Sequence, residues 1–520
     1  MFMKKKVVII GAGPAGLTAG YYLQKNSNDY DVVIIEKGKQ VGGISKTIDY
    51  DGNKMDLGGH RFFTKDERVS NIWKELLPIQ GFGSYDDLKL NSNKKYFVGG
   101  PNPEKEDKVF LIRNRGSRIY YNKKFFDYPV KLNFNTVKNL GFMETTKSGF
   151  SYLKTLFVKK EEFNLENFYI NRFGKKLYSV FFEGYTEKLW GRNPKEIDSS
   201  WGAQRVKGLS IREVIKDFVC SSFKIKNNTK QVSLIDKFYY PKYGPGQMYE
   251  EMANKIKGFG GKILLNTSVV NINCKNNKIN SIVVESKGKK NVIKGDIFIS
   301  SMPIKDLIIA IDNVPKNVYD IAFNLPYRSF VTIGVIFDKL SIKNKTKIET
   351  LNSIIPDTWI YVQSKEVKLG RIQVFNNWSP YLLKDVENTI SLGLEYFCDE
   401  NDDFWNLSDE ELKNRALKEL SEMKIIDNDS KLLNYHVERV EKAYPAYFDS
   451  YVNFDKVKKY LNKYINLYCI GRNGQHRYNN MDHSMLCGII CIDNILKGKK
   501  NKENIWNVNC DKEYHEEVKK

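Results

Sequence analysis

The apolar positions change period along the N-terminal stretch, and the order of the changes predicts a βαβ unit. Residues 6–10 form a β-branched run, Gly11 to Gly16 a glycine turn, residues 17–24 an apolar pattern at helical spacing, and residues 31–35 a second β-branched run. Residues 42–65 read as loop. From about residue 70 to 230 aromatic and helical patterns dominate, clearest over 164–178 and 213–223, which predicts an inserted, largely helical lobe. Strand alternation returns at 262–266, 269–272, 279–284 and 293–300, runs expected to rebuild a parallel sheet. Further runs at 330–337, 359–363, 371–376 and 391–397 predict an antiparallel sheet forming a substrate lobe. A helical interval over 409–423 and a short strand over 466–470 lead into a last glycine-rich segment. The pattern divides the chain into a βαβ unit (1–69), the helical insert (70–230), a return to the first domain (231–320), the antiparallel lobe (321–400) and a C-terminal segment (401–520).

Composition narrows the class. With 520 residues, 41% of them hydrophobic, the chain has material for more than one core. No stretch approaches the ~18 apolar residues of a membrane span; the run at 485–492 is too short, so no stable membrane insertion is expected. The basic residues Lys4 to Lys6 precede a glycine turn rather than a cleavage site, which predicts a cytoplasmic protein. Seven scattered cysteines read as reduced thiols, and no zinc spacing or other metal site is apparent. The net charge of +21 comes from lysines spread over the whole chain, without a basic block interleaved with aromatics. It therefore predicts an anionic small-molecule ligand and no nucleic-acid partner.

Three motifs carry chemistry. Gly11-Ala12-Gly13-Pro14-Ala15-Gly16 matches G-x-G-x-x-G between a strand and a helix. Its first glycine makes the turn, the second admits a pyrophosphate and the third lets helix meet strand. Glu36 closes the second strand about 20 residues later, where a carboxylate suits a ribose 2′-hydroxyl and repels a 2′-phosphate, favouring FAD or NAD over NADP. The second motif pairs Gly42-Gly43-Ile44-Ser45 with Asp56-Leu57-Gly58-Gly59-His60, glycines expected to admit a large flat ligand. The third is Gly471-Arg472-Asn473-Gly474, followed by Tyr478 and Met481.

Together these motifs resemble the FAD-dependent amine oxidase and protoporphyrinogen oxidase superfamily. Gly58 to Thr64, the unusual Gly184-Tyr185-Thr186-Glu187-Lys188-Leu189-Trp190-Gly191, and Tyr327-Arg328-Ser329 are locally similar to UDP-galactopyranose mutases. The resemblance implies an α/β fold with a Rossmann-like FAD-binding domain of the glutathione-reductase-like type. It implies that FAD is held by Gly11, Gly13, Pro14, Ala15, Gly16, Glu36, Lys37, Gly43, Ile44, Gly59, His60, Val269, Gly471, Arg472 and Met481. Substrate falls to Tyr185, Trp190, Arg212, Arg328 and Tyr478, and catalysis to His60, Trp190 and Arg328. Tyr185 and Trp190 read equally as core aromatics, and His60 as a structural histidine. The chain departs from the mutase pattern in two places: Arg328 is followed by Ser329, Phe330 and Val331 without a second arginine, and Asn480 stands where an acidic residue precedes the methionine. Tyr240 to Gln247, with its proline and glycine turn, looks more like oxidase and desaturase relatives.

Neither His476, Asp482 and His483 in one loop nor Ser45, Ser300 and Ser301 has the context of a metal site or a serine hydrolase. Two functions stay open: an FAD-dependent oxidoreductase that passes hydride from an amine, alcohol or C–C bond to flavin, and a mutase-like isomerase in which reduced flavin attacks the anomeric carbon of a nucleotide sugar. A flavin-binding protein without catalysis is the third.

Overall fold

In the computed structural model, which describes residues 4–128, 134–199, 233–234, 237–509 and 517–518, the expected βαβ unit forms the middle of a five-stranded parallel sheet. Lys5–Ile10 lies between Tyr30–Ile35 and Ile297–Ser300, with Lys262–Leu264 and Leu467–Cys469 at the edges. Val7, Ile9, Val32 and Ile34 enter one core, while Val8, Ile10 and Ile35 enter another. Burial on both faces is why these strands read as unbroken apolar runs.

Helices Pro14–Asn26, Pro245–Gly258 and Met481–Leu496 cover the first face. Ile304–Ala310, Phe454–Asn462 and a three-stranded antiparallel sheet cover the second. That small sheet, Ser268–Lys275, Lys278–Ser286 and Lys289–Lys294, takes most of the alternating stretch expected to join the parallel sheet. Only its two ends join. Gly295 and Asp296 break the expected 293–300 strand in two, and the Asp296 carboxylate accepts a hydrogen bond from the Lys6 amide at 2.8 Å.

The second sheet has seven strands in the order Leu432–Pro445, Tyr327–Phe337, Ile390–Cys398, Arg371–Val374, Trp359–Val362, Ser117–Tyr121, Lys124–Asp127. Four of these match the expected antiparallel runs; the other three come from outside them. Ser117–Tyr121, within the stretch expected to be helical, pairs in parallel with Trp359–Val362. Leu432–Pro445 is an edge strand carrying Glu438, Glu441 and Lys442, and charges of that kind both protect an edge from other chains and mask its period.

The helices of the insert run from Phe142–Phe157 through Leu165–Tyr178 to Gly184–Trp190. The Asn164 side chain starts the second by accepting from the Asn167 amide at 2.9 Å. The expected 213–223 helix lies outside the described residues. Cys274, Cys398, Cys469, Cys487 and Cys491 are free thiols, and no described helix is long and apolar enough to cross a membrane.

One glycine sets how closely the first helix approaches its sheet. A Cβ on Gly16 would stand 2.0 Å from the Gly11 carbonyl oxygen. Gly16→Ala is therefore expected to destabilise the chain by about 2 kcal/mol or more, seen as a lower denaturant midpoint.

Candidate active site

A cavity of about 680 Å³ runs from the glycine turn to the seven-stranded sheet, within the roughly 300–1,000 Å³ typical of ligand sites. At its first end the Pro14–Asn26 helix begins with Gly13 as N-cap and Pro14 in the first turn, so its unpaired amides face the cavity. Gly11 turns there with φ of 99°, and a Cβ on Gly43 would lie 3.2 Å from the Gly13 Cα, so two backbones meet where a side chain would close the channel. Glu36 accepts from the Ala12 and Gly38 amides, each at 2.8 Å. Its carboxylate keeps further lone pairs for a ligand hydroxyl. Lys37, Ile44 and Val269 line the same end, and Lys37 pairs with Glu441 at 3.4 Å.

At the other end, Gly58 to Arg61 face Arg472, Tyr478 and the seven-stranded sheet. Gly59 also makes room for a neighbouring side chain, since a Cβ there would fall 1.7 Å from the Trp359 ring. His60 Nδ1 lies 2.9 Å from the Gly58 carbonyl oxygen. A carbonyl only accepts, so Nδ1 carries the proton and Nε2 keeps its lone pair. Burial, with the Arg472 charge nearby, pushes His60 down to about 4.

Arg472 Nε donates to the Asn479 carbonyl at 2.8 Å and Nη1 to that of Ala443 at 3.1 Å, with the guanidinium 4.7 Å from the Tyr478 ring centre. Tyr478 stacks on Tyr444 at 5.5 Å and 25°. Asn473 holds the Lys442 carbonyl at 3.1 Å, and its Oδ1 has no partner among the described residues. Gly471 and Met481 complete this wall.

The residue that organises this end is Arg371, at the start of a strand with no other charge. Its Nε donates to the Tyr185 hydroxyl, and its Nη1 to Glu395 Oε2 at 3.2 Å and the Tyr444 hydroxyl at 3.3 Å. Its Nη2 bonds to no described residue, and Arg371 lines the cavity. Glu395 is fully buried; burial raises its carboxyl above the usual range, opposed by Arg371 and by Gln373, which also donates to it. Neither Arg371, Glu395 nor Tyr444 was among the residues expected from sequence. The available signal was a single charge in each of two strands that are otherwise uncharged and fully buried, a pattern that calls for a buried partner.

The Tyr185 to Trp190 segment supports this arginine from behind. Tyr185 bonds it. Lys188 Nζ donates to the carbonyls of Val362, Ser364 and Leu369 at 3.2, 2.7 and 2.9 Å, tying the loop before Arg371 to the helix, and burial lowers it to about 7. Trp190 is 2% exposed and packs edge-on against Phe448 in the core, away from the cavity wall.

Arg328 does not line the cavity either, contrary to the substrate and catalytic roles expected of it. Its Nε and Nη2 donate to the carbonyls of Leu189 and Lys188 at 3.1 and 3.3 Å, and its Nη1 pairs with Asp399. It caps the helix that carries Tyr185. Gly16 likewise lies outside the wall, where it sets the helix approach already described. Arg212 lies outside the described residues. Tyr185, which holds Arg371, is also absent from the lining, and the other expected residues, from Gly11 to Met481, come together around the cavity.

A model of the NAD(P)-binding Rossmann-like domain matches residues 9–76. A reduced UDP-galactopyranose mutase has a similar structure, with a TM-score of 0.76 and 20% identity, covering 98% of this chain and 100% of that one. The chain shares its fold with that enzyme. In sequence it is 22% identical to the coproporphyrinogen III oxidase of Staphylococcus aureus over 52% of this chain and 55% of the relative. It is 32% identical to the L-amino-acid oxidase of Crotalus adamanteus over 24% of this chain and 21% of the relative. The chain thus spans about half, or less, of the length of these curated relatives.

Two expected outcomes follow from the packing. Arg328→Ala should cost about 1–3 kcal/mol through the freed helix carbonyls and the unpaired Asp399, read as a lower thermal midpoint, while a nucleotide bound at the glycine end is retained. The second concerns acid. His476, whose Nε2 donates to the Ala446 carbonyl at 2.9 Å, is also held down to about 4 by burial. Both histidines protonate near 6.5 when unfolded and only near 4 when folded, so the unfolded chain binds more protons in between. Stability is then full above about pH 6.5 and falls toward pH 4, by up to ~1.4 kcal/mol per pH unit for each histidine. His60→Gln with His476→Gln should flatten that acid limb in denaturant titrations.

Proposed function

We propose that the cavity binds FAD and that the chain is a flavin-dependent enzyme acting on an anionic, polar substrate, a nucleotide sugar being the class that suits the site. The observation that carries this reading is Arg371, held at the cavity by three partners with its Nη2 bonded to none of the described residues. Arg61, Arg115 and Arg472 line the same cavity.

The cofactor fits the residues present. The backbone amides of Gly13 and Ala15 suit the pyrophosphate and Glu36 a ribose hydroxyl, beside Val269. Gly43 and Ile44 would line the pyrophosphate end, and Gly59, His60, Gly471, Arg472 and Met481 would hold the ring system. Asn473 Oδ1, buried without a partner among the described residues, has hydrogen-bonding capacity to offer in the same wall. When bound, FAD supplies a hydride acceptor or, reduced, a nucleophilic nitrogen.

The chain's own groups do the rest. Arg371 binds and orients an anionic substrate group, and the stacked Tyr444 and Tyr478 supply a flat wall with hydroxyl donors. Neutral His60 offers Nε2 as an acceptor for a substrate hydroxyl. Of the two chemistries, oxidation by hydride removal agrees with the amino-acid and coproporphyrinogen oxidase relatives. Isomerisation of a nucleotide sugar is the second reading, favoured by the arginines and by the structural likeness to a mutase.

Purified protein loaded with FAD should show a bound-flavin spectrum; a protein that takes up no flavin would overturn the proposal. Anaerobic bleaching of the oxidised protein by a sugar nucleotide, amine or alcohol marks the oxidoreductase. Conversion of UDP- or dTDP-sugars by dithionite-reduced protein without net flavin oxidation marks the isomerase. Arg371→Gln with Glu395→Gln removes both buried charges together, so neither is stranded. The pair should keep flavin and lose about 100-fold in kcat/KM, or ~2.7 kcal/mol.

A further inference from the structure

Helix Phe142–Phe157 packs with its polar side inward. Its buried residues are Ser148, Tyr152 and Thr155, whereas Phe142, Phe150 and Phe157 are 83%, 70% and 86% exposed. Met143, Leu153, Leu156 and Val158 are exposed with them. At about 100° per residue these apolar positions fall on one outward stripe, with Lys147 and Lys154 along one margin. Lys159 and Lys160 follow the end of the helix. Over residues 142–160 there are four lysines and one glutamate, and that glutamate, Glu144, is paired with Lys147 and Lys176. Beyond the helix, Phe163 sits in a shallow groove lined also by Lys160, Lys175 and Lys195 and by Glu161 and Glu166.

Single exposed apolar residues are ordinary, but a contiguous stripe holding three phenylalanines marks an interaction surface. Its chemistry is that of a bilayer interface: aromatic and aliphatic groups for the acyl boundary, with lysines on long apolar stems that reach the phosphates. The chain's net charge of +21 adds attraction toward an anionic leaflet. We propose that this face docks the protein peripherally on an anionic lipid surface, with the helix lying in the plane of the interface. None of these residues lines the cavity, so the proposal stands apart from the reading of the active site.

The test is co-sedimentation of the full chain with vesicles of phosphatidylcholine containing phosphatidylglycerol, and with phosphatidylcholine alone. Binding to the anionic vesicles is expected, weaker by about tenfold or more on neutral lipid. A similar loss is expected for Phe150→Ser with Phe157→Ser and for Lys147→Glu with Lys154→Glu. Circular dichroism and the thermal midpoint should not change, because the substituted side chains are exposed. Failure of the wild-type protein to bind anionic vesicles, or binding that neither variant weakens, would overturn the proposal. So would a dimer in light scattering that the phenylalanine variant turns into a monomer, which would put a second copy on this face. A Phe150→Cys variant that resists a water-soluble maleimide without lipid would also overturn it, by showing that another part of the chain covers the stripe.

Discussion

The end of the cavity at the seven-stranded sheet is arranged around one buried cation. A guanidinium taken out of water is tolerated only when its donors are met and its charge is balanced, since the desolvation penalty is several kcal/mol per ion. Arg371 meets that condition with Glu395 from the neighbouring strand, Tyr444 from the edge strand and Tyr185 from the helical insert. Each partner comes from a different part of the chain. The seven-stranded sheet, its edge strand and the insert must therefore all be in place before the arginine can be held.

That requirement explains a division of labour among the arginines. Arg328, a few residues into a long buried strand, caps the helix carrying Tyr185, so that Tyr185 can hold Arg371. Lys188 ties the same helix to the loop before Arg371. The Tyr185 to Trp190 segment thus acts as a brace, with Trp190 anchored in the core and Tyr185 facing the arginine. Arg472 belongs to the opposite wall, where it orders the backbone beside the stacked tyrosines.

The two ends of the cavity also differ electrostatically. The glycine end presents helix amides and one carboxylate already engaged by two backbone donors, whereas the sheet end gathers arginines around neutral His60. Burial and the neighbouring Arg472 both disfavour a proton on that histidine. It thus contributes a lone pair rather than a charge.

Local physics made the first end legible in the sequence. A turn with a positive φ needs glycine at Gly11, a close helix needs it at Gly16, and the acidic residue follows at the distance of one helix and one strand. Contacts within a few tens of residues settle that geometry, so the pattern and the βαβ reading coincide. At the second end, whether an arginine faces a ligand or a helix carbonyl depends on which strand lies beside it, and strand order is not encoded locally. Hence Arg328 carried the family likeness while Arg371 took the place at the cavity, and the Leu432–Pro445 strand that brings Tyr444 was hidden by its own charges. The sequence alone determined the dinucleotide unit, whose constraints are short-range and steric. Only the tertiary structure decided which cation faces the cavity, because a buried charge goes where distant partners meet to balance it.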